Sequence, residues 1–390
     1  MRPVRLLHVV GTRPNFMKMA PVIRAVDERN AAAVNSGSPE DVVFHQTLVH
    51  TGQHYDREMS DVFFADLGLP EPSFELGVGS GSHARQTADV MIALEPLLVS
   101  QRSDLLIVAG DVNSTLAAAL AAAKLTVPVA HVEAGLRSRD RAMPEEVNRV
   151  LTDHLSDLLF ATCEDAVENL LGEGIPEERI RFVGNPMIDT LESQRDRALS
   201  VPLPSSLEVR AHAYALVTLH RPSNVDDPRQ LSRLWCALAQ IAERLPVVFP
   251  VHARTRDRLD HLLSQERVRA NPSVRLCSPL GYLDFLGLMA RAGVVLTDSG
   301  GVQEETTVLG VPCLTLRTTT ERPVTVTQGT NRLVAPDDVQ AIVDAALAAV
   351  GEPARAARRP ALWDGKAAIR IVDALAAWAG GGRRGSDVLG

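Results

Sequence analysis

A short apolar run, a turn rich in glycine or polar residues and a helix-forming stretch follow one another repeatedly along this chain. That rhythm constrains the fold more than any other feature. Val4 to Val10 is the first apolar run, with the turn Gly11-Thr12-Arg13-Pro14-Asn15 and a helical stretch over 16–29 behind it. Residues 30–41 are small and polar and read as a surface loop. Further strands are expected over 42–50, 104–109, 127–132, 158–161 and 180–183, with helices over 87–100, 114–124 and from Met143 to about Ser156. The second half repeats the style, with strands over 214–219, 246–251, 274–276, 294–297 and 311–316 and helices over 230–244, 341–350 and 367–378. Strands separated by helices pair in parallel and are covered on both faces, so their runs are apolar throughout rather than alternating.

A chain of 390 residues is too long for one ordinary core and suits two. The expected class is therefore α/β, with two doubly wound parallel-sheet (Rossmann-like) domains facing a cleft. The first covers 1–190 and the second 191–365, joined near Asn185 to Leu203, where Val201-Pro202-Leu203-Pro204 marks a linker. A C-terminal helix over about 366–380 is expected to pack back on the first domain, and the Gly-rich end, 381–390, to be disordered.

Composition removes several function classes. Aromatic residues make up only 4%, which argues against base-stacking platforms. A net charge of −8 offers no global basic field to nucleic acid or an anionic membrane, so any anion site must be built locally. Cys163, Cys236, Cys277 and Cys313 are scattered without a CxxC pair, suggesting neither zinc nor a disulfide framework. There is no apolar run of about 18 residues, and the N-terminal run is too short for a signal peptide. A cytoplasmic protein without membrane or nucleic-acid partners is expected.

Almost every polar cluster sits just after a strand, the edge where open α/β sheets bind ligands. The stretch Thr297 to Glu305 reads as a strand end, a turn at Ser299-Gly300-Gly301 and a helix start. Such a turn points backbone N–H groups outward with the positive end of a helix dipole behind them, and glycines admit a bulky anion. Glu305, one turn in, could take sugar hydroxyls. Arg13, Lys18, His220, Arg221 and His252 complete a cationic set suited to a diphosphate. An acidic set, Asp111, Glu133 and Glu145, lies in the first half. Clustered carboxylates can have their pKa values pushed apart, leaving one a base and another an acid. A first-turn Glu such as Glu145 is also common for dipole reasons alone.

Taken together these motifs resemble the non-hydrolysing UDP-N-acetylglucosamine 2-epimerase family over residues 4 to about 378. The resemblance rests on Gly11-Thr12-Arg13-Pro14 with Lys18-Met19-Ala20-Pro21, Gly110-Asp111, His131-Val132-Glu133-Ala134-Gly135-Leu136-Arg137 and Pro144-Glu145-Glu146-Val147-Asn148-Arg149. It continues through Thr218-Leu219-His220-Arg221, Thr297 to Glu305, Thr320-Glu321-Arg322-Pro323 and Gly329-Thr330. It implies a GT-B-like fold, a homodimer, and interconversion of UDP-GlcNAc and UDP-ManNAc without metal or other cofactor. UDP would leave C1 as C2 loses its proton, giving 2-acetamidoglucal, and then add back. Asp111, Glu133 and Glu145 match the catalytic acids, with base and acid unassigned, and His220 the residue that helps the departing diphosphate. Arg13, Lys18, Arg137 and His252 would meet the substrate, Ser299, Gly300 and Gly301 the diphosphate, and Glu305 the ribose.

Three departures bear on the substrate. Asn15 stands where many members carry Glu. The loop Thr51-Gly52-Gln53-His54-Tyr55-Asp56 keeps Gln53 but has Asp56 where members with an allosteric site have a second Gln, and Arg221-Pro222-Ser223-Asn224 follows His220 in place of a second basic residue and Glu. Near the sugar, such changes suit a modified UDP-sugar. A hydrolysing UDP-sugar epimerase, a GT-B glycosyltransferase and a non-catalytic nucleotide-sugar-binding protein are the alternatives.

Overall fold

A computed structural model describes residues 3–36, 42–52, 67–264, 271–350 and 358–381. The calls on Gln53 and Asp56, and the tail 382–390, lie outside the described residues. The described strands form two parallel sheets. The first comprises β1 (Val4–Val10), β2 (Phe44–His50), β3 (Phe74–Glu75), β4 (Leu105–Ala109), β5 (Val129–Ala134), β6 (Leu158–Ala161) and β7 (Ile180–Phe182), in the order β3-β2-β1-β4-β5-β6-β7. The second comprises β8 (Ala215–Thr218), β9 (Val247–Pro250), β10 (Val274–Cys277), β11 (Val294–Thr297), β12 (Cys313–Leu316) and β13 (Asn331–Val334), in the order β10-β9-β8-β11-β12-β13. This is the doubly wound architecture expected from the alternation of strands and helices.

Each order reverses once. β1 pairs with both β2 and β4, and β8 with both β9 and β11. At such a switch the connections leave toward opposite faces, opening a crevice beyond the carboxyl ends of the two central strands. Those ends are Val10 with Ala109, and Thr218 with Thr297. The sequence therefore puts Gly11–Asn15 and Gly110-Asp111 at one crevice, and Leu219–Arg221 and Asp298–Gly301 at the other.

Each sheet has its own core. Leu7, Val9, Val49, Leu106, Val108 and Val129 pack with Leu94, Leu98, Ala118 and Ala122 from the helices His83–Gln101 and Asn113–Lys124. In the other core, Val217, Val247, Phe249 and Leu296 pack with Leu234, Trp235, Leu238 and Ile241 from the helix Pro228–Ala242. Each fully buried side chain of this size contributes about 1.5–3 kcal/mol. Contacts divide the chain into two compact units, 1–190 with 361–390, and 191–360. The helix Pro186–Ser200 covers most of the stretch read as a linker. The C-terminal helix Ala367–Gly380 packs on the helix Arg13–Ser36, and Asp189 accepts from its first N–H groups, Ala367 at 3.1 Å and Ala368 at 2.7 Å. No helix among the described residues is long and apolar enough to cross a membrane.

Several boundaries differ from expectation. The first helix runs from Arg13 to Ser36, through residues read as loop. Ala31-Ala32-Ala33 are strong helix formers, and composition alone does not separate a solvated helix end from a loop. Strands β3 and β13 and the helices Glu164–Gly172, Ala253–Ser264 and Tyr282–Ala290 were not anticipated. The edge strand β13 buries only its two end residues, which breaks the apolar run used to recognise the others.

His8, at the middle of β1, is fully buried, and that burial pushes its pKa down to about 4 from the usual 6.5. Below pH 6.5 the unfolded chain takes up a proton that the folded chain refuses. Stability should therefore fall as pH drops from 6.5 toward 4, by about 3 kcal/mol at ~1.4 kcal/mol per pH unit. Chemical denaturation of wild type and His8→Leu across that range checks this. The variant should lose the extra slope, and parallel curves would show that His8 is not its source.

Candidate active site

The crevice of the first sheet is framed by two tight turns that side chains tie together. Asn15 is buried and spans them. Its carbonyl oxygen accepts from the N–H of Gly11 (3.2 Å) and Thr12 (3.0 Å) and from the Thr12 hydroxyl (3.0 Å), while its amide donates to the Ala109 carbonyl (2.7 Å). The position that departs from the family pattern is thus engaged with backbone on both sides of the switch. One turn further along the same helix Lys18, also buried, forms a salt bridge with Glu133.

Glu133 reaches Lys18 through an irregularity in β5. The register against β6 shifts between Val132 and Ala134, and Glu133 sits in the left-handed region at φ 71°. A bulge re-aims a side chain, and a non-glycine residue held at positive φ marks a constraint that local preference does not supply. Gly135 follows at φ 85°, where an added Cβ would lie 2.4 Å from the Ala166 carbonyl oxygen. Asp153 holds this loop, accepting from the Gly135 N–H (3.1 Å), His131 Nδ1 (2.6 Å) and Arg137 Nη1 (2.7 Å). His131 Nε2 in turn meets the Gly110 carbonyl at 2.8 Å. Burial opposes ionisation of Asp153, but His131 and Arg137 hold its pKa below the usual range.

The other two expected carboxylates stand in different surroundings. Asp111 pairs with Arg149, whose second nitrogen is 2.5 Å from Glu146. Glu146 is buried and accepts from the N–H groups of Ser138 (2.9 Å) and Arg139 (2.8 Å). Burial works against its charge, yet these donors and Arg149 keep its pKa low. Glu145 is exposed in the first turn of the helix Pro144–Leu155. Arg137 was expected on the substrate. Instead its buried guanidinium holds Asp153 and, through two contacts of 2.8 and 2.6 Å, Glu173.

In the second unit Asp298 follows β11 directly and is fully buried. Its carboxylate accepts from the N–H of His220 (3.1 Å) and Arg221 (3.0 Å), the Asn224 amide (3.0 Å) and His220 Nδ1 (2.8 Å). Burial opposes its charge, and the His220 hydrogen bond leads the partners that hold its pKa below the usual range. Ser299 is the N-cap of the helix Gly300–Leu309 and makes no side-chain capping bond, so the first-turn N–H groups are not spent on its hydroxyl. Gly300 leaves room for Arg322, since an added Cβ would lie 2.2 Å from its Nη1. Arg322 is set by Glu304 (2.7 Å) and Glu321 (2.5 Å). Glu305 is buried, accepts from the Tyr282 hydroxyl at 2.9 Å, and is pushed by burial to a pKa of about 8. At neutral pH it is mainly a carboxylic acid rather than the expected carboxylate. His252 is exposed beyond β9, and Arg13 is half-buried at the start of the first helix. No group of three or more metal-ligating side chains occurs among the described residues.

Known proteins are similar to this chain in sequence and fold. A family model described as UDP-N-acetylglucosamine 2-epimerase matches residues 39–376. A UDP-N-acetylglucosamine 2-epimerase of Methanocaldococcus jannaschii is 43% identical over 336 residues, covering 85% of this chain and 88% of the relative. A UDP-2,3-diacetamido-2,3-dideoxy-D-glucuronate 2-epimerase of Pseudomonas aeruginosa is 40% identical over 334 residues, with coverage of 85% and 88%. The crystal structure of the Methanocaldococcus jannaschii UDP-GlcNAc 2-epimerase in complex with UDP-GlcNAc and UDP superposes with a TM-score of 0.85 at 40% identity, over 95% of this chain and 99% of that one.

The first crevice makes a stability prediction. Gly110 has φ 68°, and an added Cβ would stand 2.9 Å from Lys18 Nζ. Gly110→Ala should cost at least about 1–2 kcal/mol for the left-handed backbone alone. Because Lys18 is pinned to Glu133, Gly110→Ala should cost less in a Lys18→Met background, which by itself leaves the Glu133 charge unpaired, than in wild type. Urea unfolding measures both, and an unchanged midpoint for Gly110→Ala would contradict this geometry.

Proposed function

The chain belongs to the UDP-N-acetylglucosamine 2-epimerase family, and from that membership we propose that it inverts C2 of a UDP-N-acetylhexosamine by eliminating UDP and adding it back. UDP-GlcNAc and UDP-ManNAc are the substrate pair of this reading. The proton on C2 has no neighbouring carbonyl and is not acidic in the ground state. As the C1–O bond to UDP breaks, electron demand at C1 loosens that proton, and a carboxylate takes it to leave 2-acetamidoglucal. Addition of UDP with protonation of the opposite face completes the inversion, so two proton-transferring groups are needed.

The observation that carries the proposal is Glu133, buried, held at positive φ and paired with Lys18 at the switch of the first sheet. The Lys18 ammonium pairs with that carboxylate and fixes its place at the turn. Asp111 and Glu145 are the further proton carriers of the reading, with His220 assisting the departing diphosphate and Arg13 and His252 meeting the substrate. Ser299, Gly300 and Gly301 hold the diphosphate by N–H groups, and Glu305 takes the ribose as a hydrogen-bonding acid. The same reading takes the protein as a cytoplasmic homodimer.

A second reading, a UDP-sugar with a further acetamido group, is favoured by the Pseudomonas aeruginosa relative at 40% identity. Both are tested by incubating UDP-GlcNAc, and separately the 2,3-diacetamido sugar nucleotide, in deuterium oxide and following C2 by NMR. Deuterium at C2 of both epimers identifies the substrate. Stoichiometric release of UDP and free sugar would replace the proposal with hydrolysis. Glu133→Gln should lower turnover by at least ~10²-fold, the usual scale for a general acid or base, with UDP binding retained. Near-normal turnover would remove Glu133 from the chemistry.

A further inference from the structure

One contact in the second unit is not used by the roles assigned above: the carboxylate of Asp298 on the ring of His220. His220 alone, following β8, could turn about χ1 and χ2 and present either nitrogen. Here it cannot do so freely. The Asp298 carboxylate sits 2.8 Å from Nδ1 and also takes the backbone N–H of the same residue at 3.1 Å, so side chain and main chain are gripped by one group. Asp298 is 0% exposed while the His220 side chain is 53% exposed. The Nδ1 edge therefore faces the protein, and the rest of the ring is open to a ligand.

We propose that Asp298 is a positioning residue for His220, fixing the ring by its Nδ1–H and aiming the Nε2–H of the imidazolium at the phosphate oxygen that departs from C1. The inference rests on the elimination reading. A carboxylate only accepts, so the nitrogen facing it must donate, and the anion stabilises the imidazolium that would share its second proton with the leaving group. In the elimination the C1–O electrons go to the β-phosphate oxygen, the C2 proton goes to a carboxylate, and the Nε2 proton is shared with or passed to that oxygen. Addition returns it to Nε2. Asp298 gains and loses no proton.

The groups around the ring are consistent with this division. Arg221 donates through Nε to the Asp298 carbonyl (3.1 Å), and its Nη2 lies 3.7 Å from Glu321. Asn224 donates both to Asp298 and to the Leu316 carbonyl (3.2 Å), linking the dyad to the end of β12. Asp298 is thereby held by backbone and side-chain donors of residues 220–224 besides the His220 ring.

The test is a double-mutant cycle on the full-length protein, with Asp298→Asn, His220→Asn and the double variant. kcat, KM and its pH profile, UDP affinity by calorimetry and Tm are measured for each. Asp298→Asn should lower kcat by roughly 10²-fold with UDP affinity near wild type, and the double variant should be no slower than His220→Asn. Losses that multiply, or a collapse of UDP affinity in Asp298→Asn, would make Asp298 a structural residue and overturn the proposal. If Asp298→Asn does not fold, nitrogen-15 NMR of wild type, assigned through His220→Asn, decides. With UDP bound, a His220 ring protonated on both nitrogens is expected, and a neutral ring would overturn it. Wild type that never exchanges the C2 hydrogen of a UDP-sugar would instead defeat the epimerase reading itself.

Discussion

In both sheets one buried side chain closes the gap between the two central strands at their carboxyl ends. Asn15 does this between β1 and β4, and Asp298 between β8 and β11. The need arises from the topology. At a strand-order switch the two outgoing turns part toward opposite faces, and their N–H groups have no ladder partner. A buried polar group left unsatisfied costs about 1–3 kcal/mol, so the chain places an acceptor there. Asn15 and Asp298 differ in one respect that matters for chemistry. The amide is neutral and both accepts and donates, whereas the carboxylate only accepts and carries charge.

The local charges follow from this framework. A chain with a net charge of −8 contains tight groups of buried cations and anions: Lys18 with Glu133, Arg149 with Asp111 and Glu146, and Arg322 with Glu304 and Glu321. Buried pairs are weak stabilisers because desolvation offsets their attraction. Their value here is geometric. Lys18–Glu133 and Arg149–Asp111 each tie a residue near a strand end to one on a helix. Glycine supports this twice, with Gly110 clearing space beside the Lys18–Glu133 pair and Gly300 beside Arg322.

Much of this was legible in the sequence, because apolar runs closed by glycine-rich polar turns report both the strands and the edge that binds ligands. The residues Asp111, Glu133, His220 and Ser299, at or just beyond strand ends, could be picked out for that reason. What could not be read was pairing over long separations. Nothing local shows that Arg137 is taken by Asp153 and Glu173, or that burial raises the pKa of Glu305 to about 8 against a Tyr282 hydrogen bond that favours its charge. Asp298 lies inside the stretch Thr297 to Glu305, yet its partner His220 stands 78 residues earlier. Asn15 looked like a change next to the sugar until its amide was seen to be engaged with backbone. The Glu146–Arg149 pair did have a local signal, since residues three apart share a helix face.

Elimination and re-addition require the C1–O bond to break during turnover while the protein retains both fragments. Substrate carrying a heavy oxygen isotope in the bridge between C1 and the β-phosphate tests it most directly, with phosphorus NMR following the label in recovered UDP-sugar. Free rotation of the released β-phosphate should move the label into its non-bridging positions, and a fraction should return as UDP-sugar with another oxygen in the bridge. Label that stays wholly in the bridge while C2 inverts would contradict the elimination of UDP.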